Sequence, residues 1–524
     1  MQKHNMRTEK KSSIKNSATR LVLIALLVLI QTGWMVFLML KLNAYSTAIT
    51  LTLTFIAVFI ALKIFGTHVN SAQRMPWLIV ITAVPFFGIC IYLLFGRSIV
   101  TKGMRRRFNG IESDILVNKL SQDETVIDEI AAKDKGIANQ CRYISHTARY
   151  PVYKNTDVEY YAEADISFAA QIEELKKAEH FIFMEYHAIE DALSFERLKK
   201  VLIEKAQSGV EVRIFYDDLG SIFFLNKEFI KRMREQGIQC RVFNPLKVVV
   251  NMFMNNRDHR KITVIDGRVG FTGGYNLADE YFNITHPYGY WKDTGIKLTG
   301  DAVRSLTASF LTMWNAIDHT DSQADYDKYL DAADNTYKAV DSECYVQPYS
   351  DNPLGQDRIG EDVYLNILKN AKDYVYITTP YLIITDEMER ELRLAVKRGV
   401  DVRIVTPGIP DKKMVYKITR SYYEPLCSAG VRIYEYTPGF CHAKQWVSDD
   451  EVSVVGTINM DFRSLYLHFE NAVFTYNKGL AAKVKKDMLN NFEAGREVTK
   501  DYAKDVVRPL KLGTCILRMI SPLL

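Results

Sequence analysis

The pattern His-x-Lys-x4-Asp occurs twice in this chain, as HRKITVID (His259, Lys261, Asp266) and as HAKQWVSD (His442, Lys444, Asp449). An Asn follows each copy at the same offset, Asn276 in GGYN and Asn459 in GTIN. At ordinary amino-acid usage a single copy arises by chance on the order of a few hundredths of a time in a chain of this size, so a matched pair marks a duplication. The flanking sequence agrees. SGVEVRIFYDD (208–218) matches RGVDVRIVTPG (398–408), GIQCRVF (237–243) matches GVRIYEY (430–436), and FIFMEYH (181–187) resembles VYITTPY (375–381). Helix and strand signals recur in one order, which predicts two similar α/β halves joined near residue 340, with one shared site at their interface.

Each motif reads as strand, tight turn, strand. Lys261–Ile265 alternates, Asp266-Gly267 is a hairpin signal, and Arg268–Thr272 returns; the second copy turns at Asp449-Asp450. Side chains two apart on a strand share a face, so His259 lies beside Lys261 and His442 beside Lys444. The turn aspartates, Asp266 and Asp449, are expected to bond local backbone groups.

Joined, the halves supply two His, two Lys and two Asn, with no carboxylate cluster of the kind that holds a divalent metal. That set suits a phosphodiester, since ammonium and amide groups can neutralise its non-bridging oxygens. One imidazole attacks phosphorus to give a phosphohistidine while the other protonates the departing alcohol; the roles then reverse for an incoming alcohol. The symmetry of the motifs does not distinguish nucleophile from acid, and we favour attack by His259.

At 524 residues, 48% hydrophobic and 25% charged, the chain has room for two or three domains plus extra apolar segments. A net charge of +5 is too small to imply nucleic acid unless it is clustered, and the clusters fall in the first 110 residues. Seven scattered cysteines without CxxC spacing argue against a disulfide framework or zinc knuckle. Cys441, next to His442, reads as a small buried side chain.

A basic tail (1–20) precedes an apolar run from Leu21 to Leu42, followed by two more at about 44–65 and 77–95. Runs in succession argue for membrane spans over a cleaved signal. Arg97, Lys102, Arg105, Arg106 and Arg107 then favour a cytoplasmic flank, as do the free cysteines. Three full crossings would put the two basic flanks on opposite sides, so either the tail lies outside or one run only dips in; Pro76, Pro85 and Gly88 single out the third. The expected organisation is tail 1–20, membrane region 21–97 with two or three transmembrane segments, charged linker 98–140, halves 141–340 and 341–500, and a C-terminal segment 501–524.

These residues resemble the phospholipase D superfamily, whose hallmark is the duplicated His-x-Lys-x4-Asp motif, and within it the bacterial cardiolipin synthases. WLIVITAVPFFGICIYLLFGR (77–97), WKDTGIKLTGDAV (291–303), TPYLIITDE (379–387), SYYEPLCSAGVRIYEYTPGFCHAK (421–444), GTINMDFRS (456–464) and SPLL (521–524) carry the likeness over nearly the whole chain. The resemblance implies two phospholipase D-like halves behind N-terminal transmembrane helices. It implies catalytic His259, Lys261, Asp266, His442, Lys444 and Asp449, phosphate-binding Asn276 and Asn459, and no metal or cofactor. Glu470 in LHFEN stands where the family tends to place a Glu, either in the site or holding the second His. The implied reaction joins two phosphatidylglycerol molecules into cardiolipin and glycerol, with anionic phospholipid and membrane as partners and no nucleic acid. The oligomeric state is left open.

Two other readings use the same residues. Water could enter the phosphohistidine step, giving a phospholipase D-type hydrolase or a nuclease; membrane anchoring weighs against the nuclease, which should carry a basic, aromatic groove. A catalytically inactive lipid-binding scaffold would be expected to lose a motif His or Lys, and both motifs are intact.

Overall fold

The computed structural model describes residues 46–67, 70–96, 102–225, 227–245, 256–332 and 337–521, with scattered positions between 26 and 37. In the first half the strands are β1 (Thr156–Tyr161), β2 (Phe181–Tyr186), β3 (Glu211–Asp217), β4 (Gln239–Phe243), β5 (Arg257–Asp258), β6 (Lys261–Ile265), β7 (Val269–Gly273), β8 (Tyr290–Lys292) and β9 (Gly295–Gly300). In the second they are β10 (Tyr345–Asp351), β11 (Tyr374–Thr378), β12 (Leu382–Ile383), β13 (Asp401–Pro407), β14 (Arg432–Tyr436), β15 (Gly439–Cys441), β16 (Gln445–Ser448), β17 (Val452–Gly456), β18 (Met460–Asp461), β19 (His468–Tyr476) and β20 (Gly495–Glu497).

The two large sheets share one topology. The first runs β1-β9-β7-β6-β2-β3-β4 and the second β10-β19-β17-β16-β11-β13-β14, with β20 added at the edge. In each, the strands with crossover helices are parallel and the rest antiparallel. Strands such as FIFMEY (β2) and VSVVG (β17) are buried throughout, as central strands covered on both faces must be. Amphipathic helices cover them: Leu193–Gln207 buries Phe195, Leu198, Val201 and Leu202 along one stripe. Val303–Ile317 is buried on nearly every side because it packs on β2, β4 and β6 of its own half and on β10 of the other. Register equates Ile182 with Val375, since these face Ile265 and Ser448 at the same place in the two motif hairpins. That is one residue off the alignment suggested by sequence, which set Phe181 against Val375.

Two short pairings join the halves. β5 runs parallel to β19 (Arg257 with His468, Asp258 with Phe469), and β15 runs parallel to β8 (Gly439 with Tyr290, Cys441 with Lys292). In both cases the residues just ahead of a motif histidine pair with a strand of the opposite half.

The segment expected as a charged linker is largely helical, over Lys102–Glu112, Glu124–Lys133 and Lys135–Tyr143. Its charges are spaced so that Phe108, Ile111, Ile127, Ile130 and Ile137 fall on inward faces and join the main core.

Of the three apolar runs expected as spans, the first lies outside the described residues except at isolated positions. The second forms the helix Ser46–Phe65, and among the described residues only this helix is long and apolar enough to cross a membrane. The third is broken at Val84 into Ser71–Ala83 and Pro85–Ile91. It doubles back tightly enough that a Cβ on Gly88 would sit 2.5 Å from the Ile81 Cα, so only glycine fits there. Pro85 supplies the break, having no N–H to continue the ladder.

Candidate active site

His259 and His442 line a single cavity of about 430 Å³ together with Asn276, Asn459, Arg257 and Tyr281. The two sequence-predicted imidazoles are thus brought together from separate halves.

The crossed pairing explains how each ring is held. The His259 backbone N–H donates to the Phe469 carbonyl (2.9 Å), and the His442 N–H donates to the Lys292 carbonyl (2.7 Å). The next residue in each case is an acid that accepts from the ring. Glu470 takes His259 Nδ1 at 2.9 and 3.0 Å, and Asp293 takes His442 Nδ1 at 2.6 Å. Each half therefore orients the other's histidine. With Nδ1–H committed to a carboxylate, the lone pair lies on Nε2.

Glu470 was expected in the site or beside the second His; it holds the first. The reason is the β5–β19 pairing, which aligns Phe469 with Asp258 and so brings Glu470 to His259. Glu470 also accepts from Thr457 Oγ1 (2.5 Å) and Ser464 Oγ (2.7 Å). The two carboxylates are fitted differently. At the position that Thr457 occupies in its hairpin, the first half has Gly274, where a Cβ would fall 2.0 Å from Asp293 Oδ1. The shorter Asp needs that space, whereas the longer Glu uses the threonine hydroxyl.

Lys261 and Lys444 are buried beside their histidines, and each ammonium donates to the carbonyl of its own motif His. Asn276 Nδ2 donates to the Tyr281 hydroxyl (2.8 Å) and Asn459 Nδ2 to Asp461 (3.0 Å).

Asp266 and Asp449 lie at the hairpin turns, outside the cavity lining. Both have positive φ, 52° and 55°, as a tight hairpin turn requires. Asp266 accepts the backbone N–H groups of Glu179, His180 and Phe181 at 2.8 Å, and Asp449 accepts those of Lys372, Asp373 and Tyr374 at 2.9 Å. They clamp the start of β2 and β11 to the motif hairpins. Asp266→Ala should therefore cost about 2–4 kcal/mol through unmade backbone bonds. A calorimetric scan is expected to show a lowered Tm, with kcat per folded molecule nearly unchanged; a collapse of kcat at full stability would give Asp266 a chemical role.

Burial dominates the electrostatics. It pushes both imidazoles towards the neutral form, aided by the neighbouring lysines: His259 falls well below the ordinary histidine value, and His442 to about 3 although Asp293 pulls it up. Burial likewise lowers Lys261 to about 7 and Lys444 to about 8. Asp293 is itself buried, which raises its pKa, but His442 and Lys444 more than offset this and hold it below the usual carboxylate range.

A pH dependence follows. The lysines can neutralise a phosphate only while protonated, so kcat/KM should fall as pH rises through about 7 to 8. Bound phosphate favours the ammonium form, so the same limb in kcat should lie at higher pH. A kcat/KM flat from neutral to mildly alkaline pH would contradict this role.

Sequence reasoning missed Asp293: it lies 17 residues past Asn276 whereas Glu470 lies 11 past Asn459, so the fixed spacing of the motifs does not reach it, and the signal is only that WKD precedes β9 as LHFE opens β19. It also missed the histidines around His259. His187 and His468 lie 5.0 and 5.6 Å from its ring, while His442 is boxed by Trp291, Tyr281 and Phe440 at 5.2, 5.4 and 5.7 Å. Among the described residues one group could hold a metal ion, His259, His468 and Glu470, whose donor atoms lie within 4.8 Å of one another; it includes one histidine of the crossed pair and the carboxylate that holds it. Burial pushes the Cys441 thiol up to about 12, which favours its neutral form.

Comparison with known proteins agrees with this construction. The family described as "Cardiolipin synthase, PLD-like domain" matches residues 171–314 and 364–492, one segment in each half, and "Phospholipase D-nuclease N-terminal" matches 52–97. A cardiolipin synthase of Geobacillus thermodenitrificans is 34% identical over 92% of this chain and 94% of its own length. An uncharacterized protein of Streptococcus mutans is 39% identical over 88% of this chain and 99% of its own. The crystal structure of a phosphatidylserine synthase of Haemophilus influenzae superposes with a TM-score of 0.54 at 14% identity, covering 73% of this chain and 97% of that one, and so shares the fold. With matches in both halves and relatives aligned over most of its length, the chain belongs to the phospholipase D-like cardiolipin synthase family, a membrane-associated group of α/β enzymes.

Proposed function

We propose that this protein is a cardiolipin synthase that moves the phosphatidyl group of one phosphatidylglycerol onto the glycerol headgroup of another. The observation that carries the reading is the crossed pair: two imidazoles in one cavity, each tied through Nδ1 to a carboxylate of the opposite half.

His259 Nε2 attacks phosphorus and the bond from phosphorus to the glycerol oxygen breaks; His442 gives its proton to that oxygen and glycerol leaves. A second phosphatidylglycerol then delivers its hydroxyl proton to His442 while its oxygen attacks phosphorus, and the bond to His259 breaks. His442 suits the proton-carrying role because its carboxylate contact is the shorter and Asp293 is held ionised. His259, set among His187, His468 and Lys261, is kept neutral and nucleophilic. The entering phosphodiester anion favours the imidazolium form of His442 at the moment it is needed. Lys261, Lys444, Asn276 and Asn459 are the groups for the non-bridging oxygens.

Transfer is favoured over hydrolysis by apolar side chains around the cavity, among them Ile222, Phe223, Ile383, Val415 and Phe462, which oppose entry of water to the intermediate. We place the protein in the cell membrane through more than one N-terminal crossing, with the catalytic body on the cytoplasmic side, from the basic residues Arg105, Arg106 and Arg107 that follow the apolar runs.

Purified protein in detergent, given labelled phosphatidylglycerol and a chelator, is expected to yield cardiolipin and glycerol. Predominant phosphatidic acid would assign hydrolysis instead, and loss of turnover on chelation would contradict charge neutralisation by lysine.

A further inference from the structure

The helices Lys413–Ser421 and Leu512–Ile520 pack together beside the catalytic cavity. Arg518 joins them, donating from Nε to Ser421 Oγ and from Nη2 to the Ser421 carbonyl, both at 2.9 Å, with its guanidinium 3.6 Å from the Tyr422 ring centre. Lys412 and Val415 at the start of one helix and Ser521 at the end of the other line the cavity itself.

Their outward faces are unusual for a surface in water. Leu512, Cys515, Ile516 and Met519 recur at the i, i+3, i+4, i+7 spacing of one helical stripe, and Leu512 is 78% and Ile516 50% exposed. Beside this apolar stripe the neighbouring helix turns out Lys412, Lys413 and Lys417 around exposed Met414. Phe223, also exposed, continues the apolar surface at the cavity rim.

This surface is continuous with the membrane region. The helix Leu512–Ile520 also packs against Ser71–Ala83, which follows the apolar helix Ser46–Phe65, and Asn70 Nδ2 donates to the Tyr466 hydroxyl of the catalytic body at 3.1 Å. An apolar stripe flanked by lysines has the composition of a helix lying in the plane of an anionic bilayer surface.

We propose that these two helices form a platform that docks the cavity mouth on the bilayer, with anionic phospholipid as the partner. Acyl chains stay in the membrane while headgroup phosphates reach His259 and His442. The proposal rests on the lipid-substrate reading of the cavity and adds where the lipid enters.

Cys515 is exposed and offers a labelling position. The full chain, with Cys90→Ser to remove a half-buried thiol, is labelled at Cys515 with an environment-sensitive fluorophore and placed in nanodiscs of phosphatidylcholine, with or without phosphatidylserine. Lipids carrying a quencher near the headgroup should quench the label, and phosphatidylserine should deepen the effect. Lys413→Glu with Lys417→Glu should remove that dependence. Leu512→Asp with Ile516→Asp should abolish quenching and lower, by about tenfold, the ratio of activity on bilayer phosphatidylglycerol to activity on monomeric short-chain phosphatidylglycerol. A label that stays in water, or one that responds to protein concentration and not to lipid, would overturn the platform, the latter in favour of contact between copies. Quenching without turnover of short-chain lipid would instead defeat the substrate reading and leave docking standing.

Discussion

His259→Ala and His442→Ala are each expected to reduce synthesis by about 10³-fold or more while leaving a folded protein, because the proposed mechanism has the two rings work in sequence on one phosphorus atom. Both are hydrogen-bonded at the cavity and neither is a centre of the apolar core, so the fold should be kept, with stability lowered because a buried carboxylate, Glu470 or Asp293, loses its ring. The two variants should nevertheless differ. A phosphatidyl ester of p-nitrophenol has a leaving group that departs without a proton, so His442→Ala should regain much of the first step on it and His259→Ala should regain none. Equal rescue of both would reverse or dissolve the assignment of roles, and substantial synthesis by either alone would refute a shared site.

Asp293→Asn and Glu470→Gln form the second large expectation, a loss of about 10²–10⁴-fold in kcat each, by analogy with removal of the carboxylate that orients a catalytic histidine. They are positioning residues, acting through the ring that each holds. Asp293→Asn should therefore share the p-nitrophenol rescue of His442→Ala, although Asp293 lies in the other half of the chain, 149 residues away. Glu470→Gln should follow His259→Ala, its partner 211 residues away. Rescue that tracked the half in which the carboxylate resides would contradict the crossing.

The crossing also explains what could and could not be read from sequence. The motifs, their hairpins and the two-half architecture were legible because duplication repeats local signals, namely alternating strands and an Asp at a tight turn. That Asp266 and Asp449 bond backbone was legible too, but the partners are not the local groups that the turn suggests: they clamp the start of a neighbouring strand far away in sequence, a consequence of sheet order. Asp293 and the true partner of Glu470 depend on β8 meeting β15 and β5 meeting β19, pairings of two or three residues between halves that carry no periodicity. The one-residue offset between the alignment and the register of β2 and β11 has a similar cause, since buried strands of continuous apolar residues do not mark their phase. The helices between 102 and 143 hid behind their charges, because an amphipathic helix with a narrow apolar stripe has the composition of a linker. Around the third apolar run, Pro76, Pro85 and Gly88 did announce irregularity, and the tight reversal at Val84 is its form.

The central claim is that two halves build one site with one nucleophile. The most direct test is rapid denaturing quench of the wild-type enzyme with phosphatidylglycerol labelled at phosphorus, followed by peptide mapping of the protein-bound label. The account predicts label on the peptide containing His259 and none on the peptide containing His442. Comparable label on both peptides, or steady cardiolipin formation with label on neither, would contradict it.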